Sequence, residues 1–118
     1  MGLFDLTQLV LDRAMSGAAL RQSVLADNLA NANTPEFKRS DVDFQGALAK
    51  ALDGGSSVAD VSFAPMQDTS TTARADGNNV DVDAEMANLS QNSVGYQALV
   101  AVAHTRLAEL QTAIGSGH

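Results

Sequence analysis

The acidic residues grouped between Asp76 and Glu85 are the strongest candidates for chemistry in this chain. Four acids stand in these ten residues, and Asn78 follows Asp76 by two positions. A calcium loop that starts at Asp76 needs oxygen ligands at its fifth and twelfth positions. The chain has Val80 and Ala87 there instead. We therefore expect a turn followed by acidic capping of a helix, and no calcium site.

The histidines and serines offer no further catalytic arrangement. His104 and His118 are far apart, and neither has a companion at the spacing of a helical metal-ligand motif. No serine lies in a nucleophile elbow, and the chain has no Gly-rich phosphate loop. We therefore expect no enzyme, no metal and no cofactor.

A small basic and aromatic patch follows the first third of the chain, at Phe37, Lys38 and Arg39. Two cations are too few for nucleic acid in a chain of net charge -7, because such binding needs clustered Lys and Arg. The same charge argues against direct lipid binding to anionic membranes. The patch is therefore either a solvated loop tip or a contact for another protein.

Composition favours long helices that pack on neighbours. The 118 residues suit one domain, and 45% are hydrophobic but only 4% aromatic. Much of the apolar content is Ala, which contributes little burial per residue. There are no cysteines, and no apolar run approaches the roughly 20 residues of a membrane span. The N-terminus lacks a basic start and a small-residue cleavage site, so we expect no secretory signal.

Residues 6–32 have the pattern of one amphipathic helix, for which Asp5 is a suitable N-cap. One apolar face carries Phe4, Leu11, Met15, Ala18, Leu25, Leu29 and Ala32. The adjacent face carries Leu3, Leu6, Val10, Gly17, Leu20 and Val24. Two apolar faces indicate at least two packing partners, whereas a helix in a two-helix monomer needs only one.

Residues 82–114 have the pattern of a second helix, for which Asp81 or Asp83 is the predicted cap and Gly115 the predicted end. Two sets recur every seven residues: Met86, Ser93, Val100, Leu107 and Ile114, and then Leu89, Tyr96, Ala103 and Leu110. This spacing predicts a coiled-coil seam. We expect this seam to hold the chain's own helix pair.

A shaped corner follows the first helix. Asn31 and Asn33 favour side-chain bonds to the local backbone over continued helix. Pro35 then excludes an ordinary helical hydrogen bond and makes Thr34 extended. Beyond the corner, residues 40–52 have the pattern of a short helix, and residues 61–63 that of a strand edge.

The sequence therefore predicts an all-α fold. Two long terminal helices form an antiparallel coiled-coil-like pair, joined by a partly irregular middle segment with a short helix or a small β element. We divide the chain into an N-terminal helix (1–34), the middle segment (35–79) and a C-terminal helix (80–118), within one structural domain.

Two separate segments resemble the bacterial flagellar rod and hook proteins. Residues 28–35, followed by Phe37 and Lys38, are similar to the N-terminal signature of that family. Residues 79–86, which lead into Tyr96 and the residues after it, are similar to its C-terminal segment. The short chain and residues 40–44 most resemble the proximal rod subunits. Glu36 stands where the family usually has Gly, and a non-glycine residue disfavours a positive φ there.

The resemblance implies a structural subunit of the proximal rod, which crosses the periplasm after export through the flagellar type III apparatus without a cleaved signal peptide. Implied partners are other rod proteins, the export-gate/rod junction protein and copies of the chain in a helical assembly. The expected assembly residues are Leu6, Val10, Gly17, Leu20, Val24, Asn28, Leu29, Asn31, Asn33, Pro35, Phe37, Met86, Leu89, Tyr96, Val100, Leu107, Leu110 and Ile114.

A rival hypothesis is a helical adaptor or export chaperone whose coiled coil binds a single protein partner. An adaptor should fold stably when dilute. A rod subunit should instead gain helix when it assembles, because its apolar faces lack partners before assembly.

Overall fold

The computed structural model describes residues 3–55 and 57–116, with side chains at 6–55 and 57–115. The described elements are α1 (Leu3–Ala30), β1 (Ser40–Asp41), α2 (Phe44–Asp53), a 3₁₀ turn (Val58–Asp60), β2 (Met66–Gln67) and α3 (Val82–Ser116). The fold is all-α, as predicted, with a two-stranded sheet in the middle segment. The molecule is elongated, with extents of 67 × 28 × 14 Å.

The two long helices lie side by side in opposite directions. The Nδ2 of Asn92 donates to the carbonyl oxygen of Ala18 and to Oε1 of Gln22, both at 2.8 Å. Two turns earlier on α3, Glu85 Oε2 accepts from Asn28 Nδ2 at 3.3 Å. Residue numbers therefore fall along α1 as they rise along α3, which confirms the predicted antiparallel pair.

Half of the predicted seam on α3 faces away from α1. Leu89, Tyr96, Ala103 and Leu110 are half-buried. The other set, here called the outer row, is exposed at Met86 (54%), Val100 (40%), Leu107 (54%) and Ile114 (68%), whereas its remaining member, Ser93, is half-buried. The set one residue earlier, called the inner row, is buried or half-buried instead: Glu85, Asn92, Leu99 and Arg106.

The prediction that the outer row holds the chain's own helix pair was therefore wrong, because the most deeply buried residues of the inner row are polar. Glu85 and Asn92 are 1% and 5% exposed, because groups on α1 and in the corner satisfy their hydrogen bonds. A count of apolar residues every seven positions does not detect buried polar residues, so it selected the neighbouring row.

The core lies between α1, α2 and the 3₁₀ turn. Its buried members are Ala14, Ala18, Val42, Phe44, Leu48 and Val58. Gly17 allows the close approach of α2, because a Cβ there would overlap the side chain of Phe44. The rings of Phe44 and Phe63 meet edge to face, with centroids 6.3 Å apart. This small core fastens α2 to the middle of α1.

The middle segment contains both a short helix and a small sheet. Asp43 caps α2, since its Oδ1 accepts from the backbone N–H of Gly46 at 2.9 Å. The strand edge predicted at residues 61–63 was wrong. The strands are β1 and β2, antiparallel, with Ser40 opposite Gln67. Residues 61 and 63 instead pack their apolar side chains against the core.

The helix ends differ from prediction by a few residues. α1 already includes Leu3, so Asp5 lies within the helix and is not its N-cap. Regular helix ends at Ala30, and the backbone N–H of Asn31 donates back to Asp27 at 3.1 Å. The Asn31 side chain donates to the same carbonyl at 2.8 Å.

The cap of α3 is Asp81, one of the two predicted residues. Its Oδ1 accepts from the N–H of Ala84 at 3.2 Å. α3 continues to Ser116, one residue past the predicted end. Residues 117 and 118, which include the second histidine, lie outside the described part of the chain.

The burial pattern predicts that the backbone amides at the end of α3 are weakly protected from hydrogen exchange. None of residues 100–115 is buried, whereas Glu85 and Asn92 are. Amide protons after Val100 should therefore exchange roughly 100-fold faster than those between residues 85 and 99 in the dilute protein. Hydrogen exchange resolved by residue measures this ratio, and uniform protection along α3 would contradict the expectation.

Candidate functional site: a polar clasp and an exposed helix face

The corner after α1 lies directly against the segment that leads into α3. The backbone N–H of Glu36 donates to the carbonyl of Asp76 at 2.9 Å, and that of Asn79 to the carbonyl of Phe37 at 3.3 Å. The N–H of Arg39 donates to Oδ1 of Asn79 at 2.7 Å. We call residues 28–41 and 76–85 together the clasp. The two segments that carry the sequence resemblance are thus hydrogen-bonded to each other.

Asn78 is a central residue of the clasp and is fully buried. Its Nδ2 donates to the carbonyls of Asn31 and Thr34, both at 2.8 Å. Its Oδ1 accepts from the N–H of Val80 at 2.7 Å. Carbonyls at the end of a helix have no partner within the helix. One side-chain amide therefore donates to carbonyl groups just beyond α1 and, through its oxygen, positions the backbone just before α3.

Arg74 and Asn28 add two further links. The Arg74 guanidinium donates to the carbonyls of Ala32 and Val80. Asn28, 1% exposed, donates from Nδ2 to the carbonyl of Ser40 at 2.7 Å, and its Oδ1 accepts from the Ser40 N–H at 3.0 Å. The Asn28 amide thus pairs with β1 much as a neighbouring strand would.

Arg39 links three carboxylates, of which those of Asp41 and Glu85 belong to the clasp and that of Asp68 lies outside it. Its Nε contacts Glu85, its Nη1 lies 2.8 Å from Oδ2 of Asp68, and its Nη2 lies 3.5 Å from Oδ2 of Asp41. Glu85 is almost completely buried and also accepts from Asn28. A carboxylate taken out of water needs a cation and hydrogen bonds to remain charged. Arg39 therefore ties together α3, β1 and the loop after β2.

The environment of Asp41 favours its charged form. Burial alone raises the pKa of this carboxyl, but the hydrogen bonds from Arg21 and from the Val42 N–H outweigh it, and the pKa lies below its ordinary value. Arg21 binds in a bidentate manner, at 2.7 and 3.2 Å. Burial lowers the pKa of Arg39, and its carboxylate partners more than reverse this, so the net pKa is raised.

Asp68 organises the loop after β2. The hydroxyl and the N–H of Ser70 lower the pKa of Asp68, and Thr71 and Arg39 lower it further. The Asp68 backbone is bound as well, since its carbonyl accepts from Asn79 Nδ2 at 2.9 Å. The Ser/Thr run of this loop therefore donates hydrogen bonds to a carboxylate that faces the clasp.

Glu36 adopts the backbone geometry that its residue type disfavours. Its φ is 66°, so the positive φ that a non-glycine residue disfavours is nevertheless present at this position. Such a conformation costs roughly 1–2 kcal/mol for a residue with a Cβ. Its N–H bond to Asp76 and the bond from Lys38 Nζ to the Gly77 carbonyl hold the turn. Gly77, at φ 84°, leaves the space that the Glu36 carboxylate occupies.

The predicted assembly residues on α1 are mostly used within the chain. Val10, Leu20 and Val24 pack half-buried beside the core, and Phe44 covers Gly17. Leu6, by contrast, is 42% exposed. The second apolar face of α1 thus meets mainly α2 and the middle segment.

The predicted corner residues are divided between the clasp and solvent. Asn28 is buried, and Leu29, Asn31 and Phe37 are half-buried. Asn33 and Pro35 are exposed.

α3 presents a face that is exposed, apolar and uncharged. Exposed residues of this face are Val82, Met86, Val100, Leu107 and Ile114, whereas the exposed Val94 and Val102 lie on other sides of α3. From Met86 to Thr105 the sequence has no Asp, Glu, Lys or Arg. Depletion of charge together with apolar side chains is typical of the centre of a protein interface.

Sequence reasoning missed the ion network of the clasp. Arg39 was assigned to a patch that was either a solvated loop tip or a contact for another protein, and Glu85 to helix capping. The two residues instead form a buried pair. The available signal was the opposite charge of the basic residues after the corner and the acids before α3.

Two further structural results concern metals and membranes. Across residues 3–55 and 57–116, no group of three His, Asp or Glu side chains is placed to hold a metal ion. None of the described helices combines the length and hydropathy that crossing a membrane requires.

The buried pair predicts a measurable coupling between Arg39 and Glu85. Arg39→Met should lower the free energy of unfolding by about 3 kcal/mol, because Glu85 stays buried without its cation. Glu85→Gln in the same chain should reduce that loss, with a coupling of at least about 1 kcal/mol. Urea unfolding followed by circular dichroism measures both. Lys50→Met, on the exposed side of α2, is the control, and equal effects of Arg39→Met and Lys50→Met would refute the role of the pair.

The lowered pKa values predict loss of stability in acid. Below about pH 4, unfolded Asp binds a proton that folded Asp41 and Asp68 do not bind, so the free energy of unfolding falls as pH falls towards their lowered pKa values. Above that pH the two carboxylates make their full contribution to the free energy of unfolding. Melting temperatures from about pH 6 to pH 3 should fall less steeply for Asp68→Asn than for the unaltered chain, and parallel curves would contradict this.

Comparison with known proteins bears directly on this arrangement. Residues 9–38 match the family model described as flagella basal body rod protein. The flagellar basal body rod protein FlgB of Bacillus subtilis (strain 168) is 33% identical over 128 aligned residues, which cover 99% of each chain. FlgB of Borrelia hermsii is 37% identical, over 81% of this chain and 86% of its own. FlgB of Escherichia coli (strain K12) is 30% identical, over 89% and 90%.

These relatives confirm the resemblance that residues 28–38 and 79–86 suggested. Alignment over nearly the whole length places both halves of the clasp and both long helices inside the match. The chain therefore belongs to the FlgB family of flagellar basal body rod proteins.

Proposed function

We propose that this component of the flagellar basal-body rod is a structural subunit that builds a helical assembly. Its partners are copies of itself, other rod proteins and the export-gate/rod junction protein. It acts in the rod where the rod crosses the periplasm, after export by the flagellar type III apparatus without a cleaved signal peptide. Its role is mechanical, and it carries out no chemical reaction.

The uncharged exposed face of α3 is the observation that carries this proposal. Met86, Leu107 and Ile114 are each more than half exposed on this face of a long helix. Leaving such apolar surface in water costs roughly 25 cal/mol per Å² relative to burial. A subunit whose α3 is covered by neighbours removes that cost, and a rod provides such neighbours along its length.

The clasp has a supporting role in this proposal. Arg39, Asn78 and Asn28 bind groups from both terminal segments, so they set how α1 and α3 lie relative to each other. A polar network with fixed partners has few alternative arrangements, unlike an apolar contact. The clasp would therefore present the face of α3 in one orientation, as stacking of identical subunits requires.

The weak burial along α3 also fits export as an unfolded chain. Residues 100–115 contain no buried side chain, and the core on α1 is small. A helix with few buried contacts opens at low free-energy cost. Assembly then supplies the missing contacts, which stabilise the helix in the rod.

A single charge on the exposed face tests the proposal. Met86→Asp should abolish motility when it replaces the native copy, because an unpaired carboxylate would be buried between subunits. The folded monomer should change by no more than about 0.5 kcal/mol, because Met86 is exposed there. Swimming in soft agar measures motility, and urea unfolding measures stability.

The matched control is Ala87→Asp, the next residue on α3, which is exposed but lies outside the outer row. It should leave motility closer to that of the native chain. Normal swimming of the Met86→Asp strain would contradict the proposal. Absence of the native chain from purified basal bodies, in cells that need it to swim, would favour the adaptor hypothesis instead.

A further inference from the structure

We propose that the groove between α2 and α3 receives the outer row of α3 from a second copy of this chain. The inference rests on the proposed function and names the surface that meets the exposed face. The groove has a volume of about 820 Å³. Its apolar lining is Phe44, Leu48, Leu52, Ala98, Leu99 and Val102.

The groove is lined mainly by apolar residues, and its polar lining is Arg21, Gln45, Gln91 and Asn92. Phe44 and Leu48 are buried at its floor, where they also belong to the core. Leu52 on α2 and Val102 on α3 rise on either side, and each is 47% exposed. Two apolar walls over an apolar floor fit the side chains of another helix.

The dimensions of the outer row match the groove. On α3 the lining runs from Gln91 to Val102, which is roughly 16 Å at 1.5 Å per residue. Val100 and Leu107 of the outer row are seven residues apart, or roughly 10 Å along the helix axis. Two consecutive members of the row therefore fit in the groove together.

Charge selects a second copy as the occupant. The chain carries a net charge of -7, so two copies repel each other except where both surfaces are uncharged. Among the described residues that line the groove, Arg21 alone is charged, and it already binds Asp41. The outer row lies on the charge-free part of α3 over most of its length. The groove, whose single charged residue is already paired, and the row are thus two surfaces without an unpaired charge on one acidic chain.

The positions of the two surfaces predict an open assembly. Successive residues of an α-helix are rotated by roughly 100°. Ala98 and Val102 of the groove therefore lie about half a turn around α3 from Val100 and Leu107 of the row. A copy that inserts its row into a neighbour leaves its own groove free for a third copy. Such a head-to-tail contact does not close on itself and generates a helix.

Cross-linking between single cysteines tests the contact, since the chain has no native cysteine. Leu107→Cys in a longer, tagged copy and Leu52→Cys in an untagged copy are expressed together, and basal bodies are treated with a short bismaleimide. Proximity raises the effective concentration of the two thiols. The yield of the mixed dimer should therefore be roughly tenfold higher than the yield from a control pair with Thr71→Cys in place of Leu52→Cys. Val100→Cys with Val102→Cys is a second, independent pair.

The other outcomes overturn the inference. A dimer joining two Leu107→Cys copies would show a symmetric contact, and a bond from Leu52→Cys to a different rod protein would show another occupant. No mixed dimer from either pair, in basal bodies that contain both copies, would also overturn it. If Met86→Asp still abolished motility in that case, the proposed function would stand while the groove assignment failed.

Discussion

The buried pair of Arg39 and Glu85 is the interaction on which the arrangement of this molecule depends. Glu85 is 1% exposed on the first turn of α3, and its cation comes from the chain just after the corner. A charge in that position is tolerated only with a partner of opposite charge and with its remaining hydrogen bonds filled. The pair therefore determines where α3 begins relative to α1, and Asp68 and Asn28 complete its surroundings.

From this fixed end the two long helices run together with decreasing burial. Near the clasp, Asn92 still bonds to α1, but beyond Val100 no described residue of α3 is buried. The contacts between the two long helices are thus specific at the clasp, whereas the rest of α3 leaves apolar surface exposed. A polar clasp supplies specificity, whereas apolar surface without a partner supplies the free energy for association. In the assembly proposed above, neighbouring subunits would cover that apolar surface.

Structural context also explains how a departure from the family pattern is accommodated. Glu36 takes a positive φ where relatives of the wider family usually have Gly, and its carboxylate lies in the space that Gly77 leaves free. The conformational cost of the positive φ is offset by the backbone hydrogen bond from Glu36 to Asp76 and by the bond from Lys38 to the Gly77 carbonyl. A residue preference is a statement about the isolated chain, and a hydrogen-bonded turn outweighs it.

The sequence by itself determined the two long helices and the corner at Pro35, because periodicity, capping and helix-breaking residues are local properties. The antiparallel pairing was predicted correctly as well, and the resemblance of residues 28–38 and 79–86 to known proteins indicated the family. The sequence also placed α2 to within a few residues. Only the tertiary structure decided which row of α3 faces α1, since that depends on distant partners of Glu85 and Asn92. The same holds for the clasp, whose halves are separated by some forty residues of chain. Long-range pairing of polar groups leaves no periodic pattern in the sequence, and it is this pairing that leaves the outer row exposed.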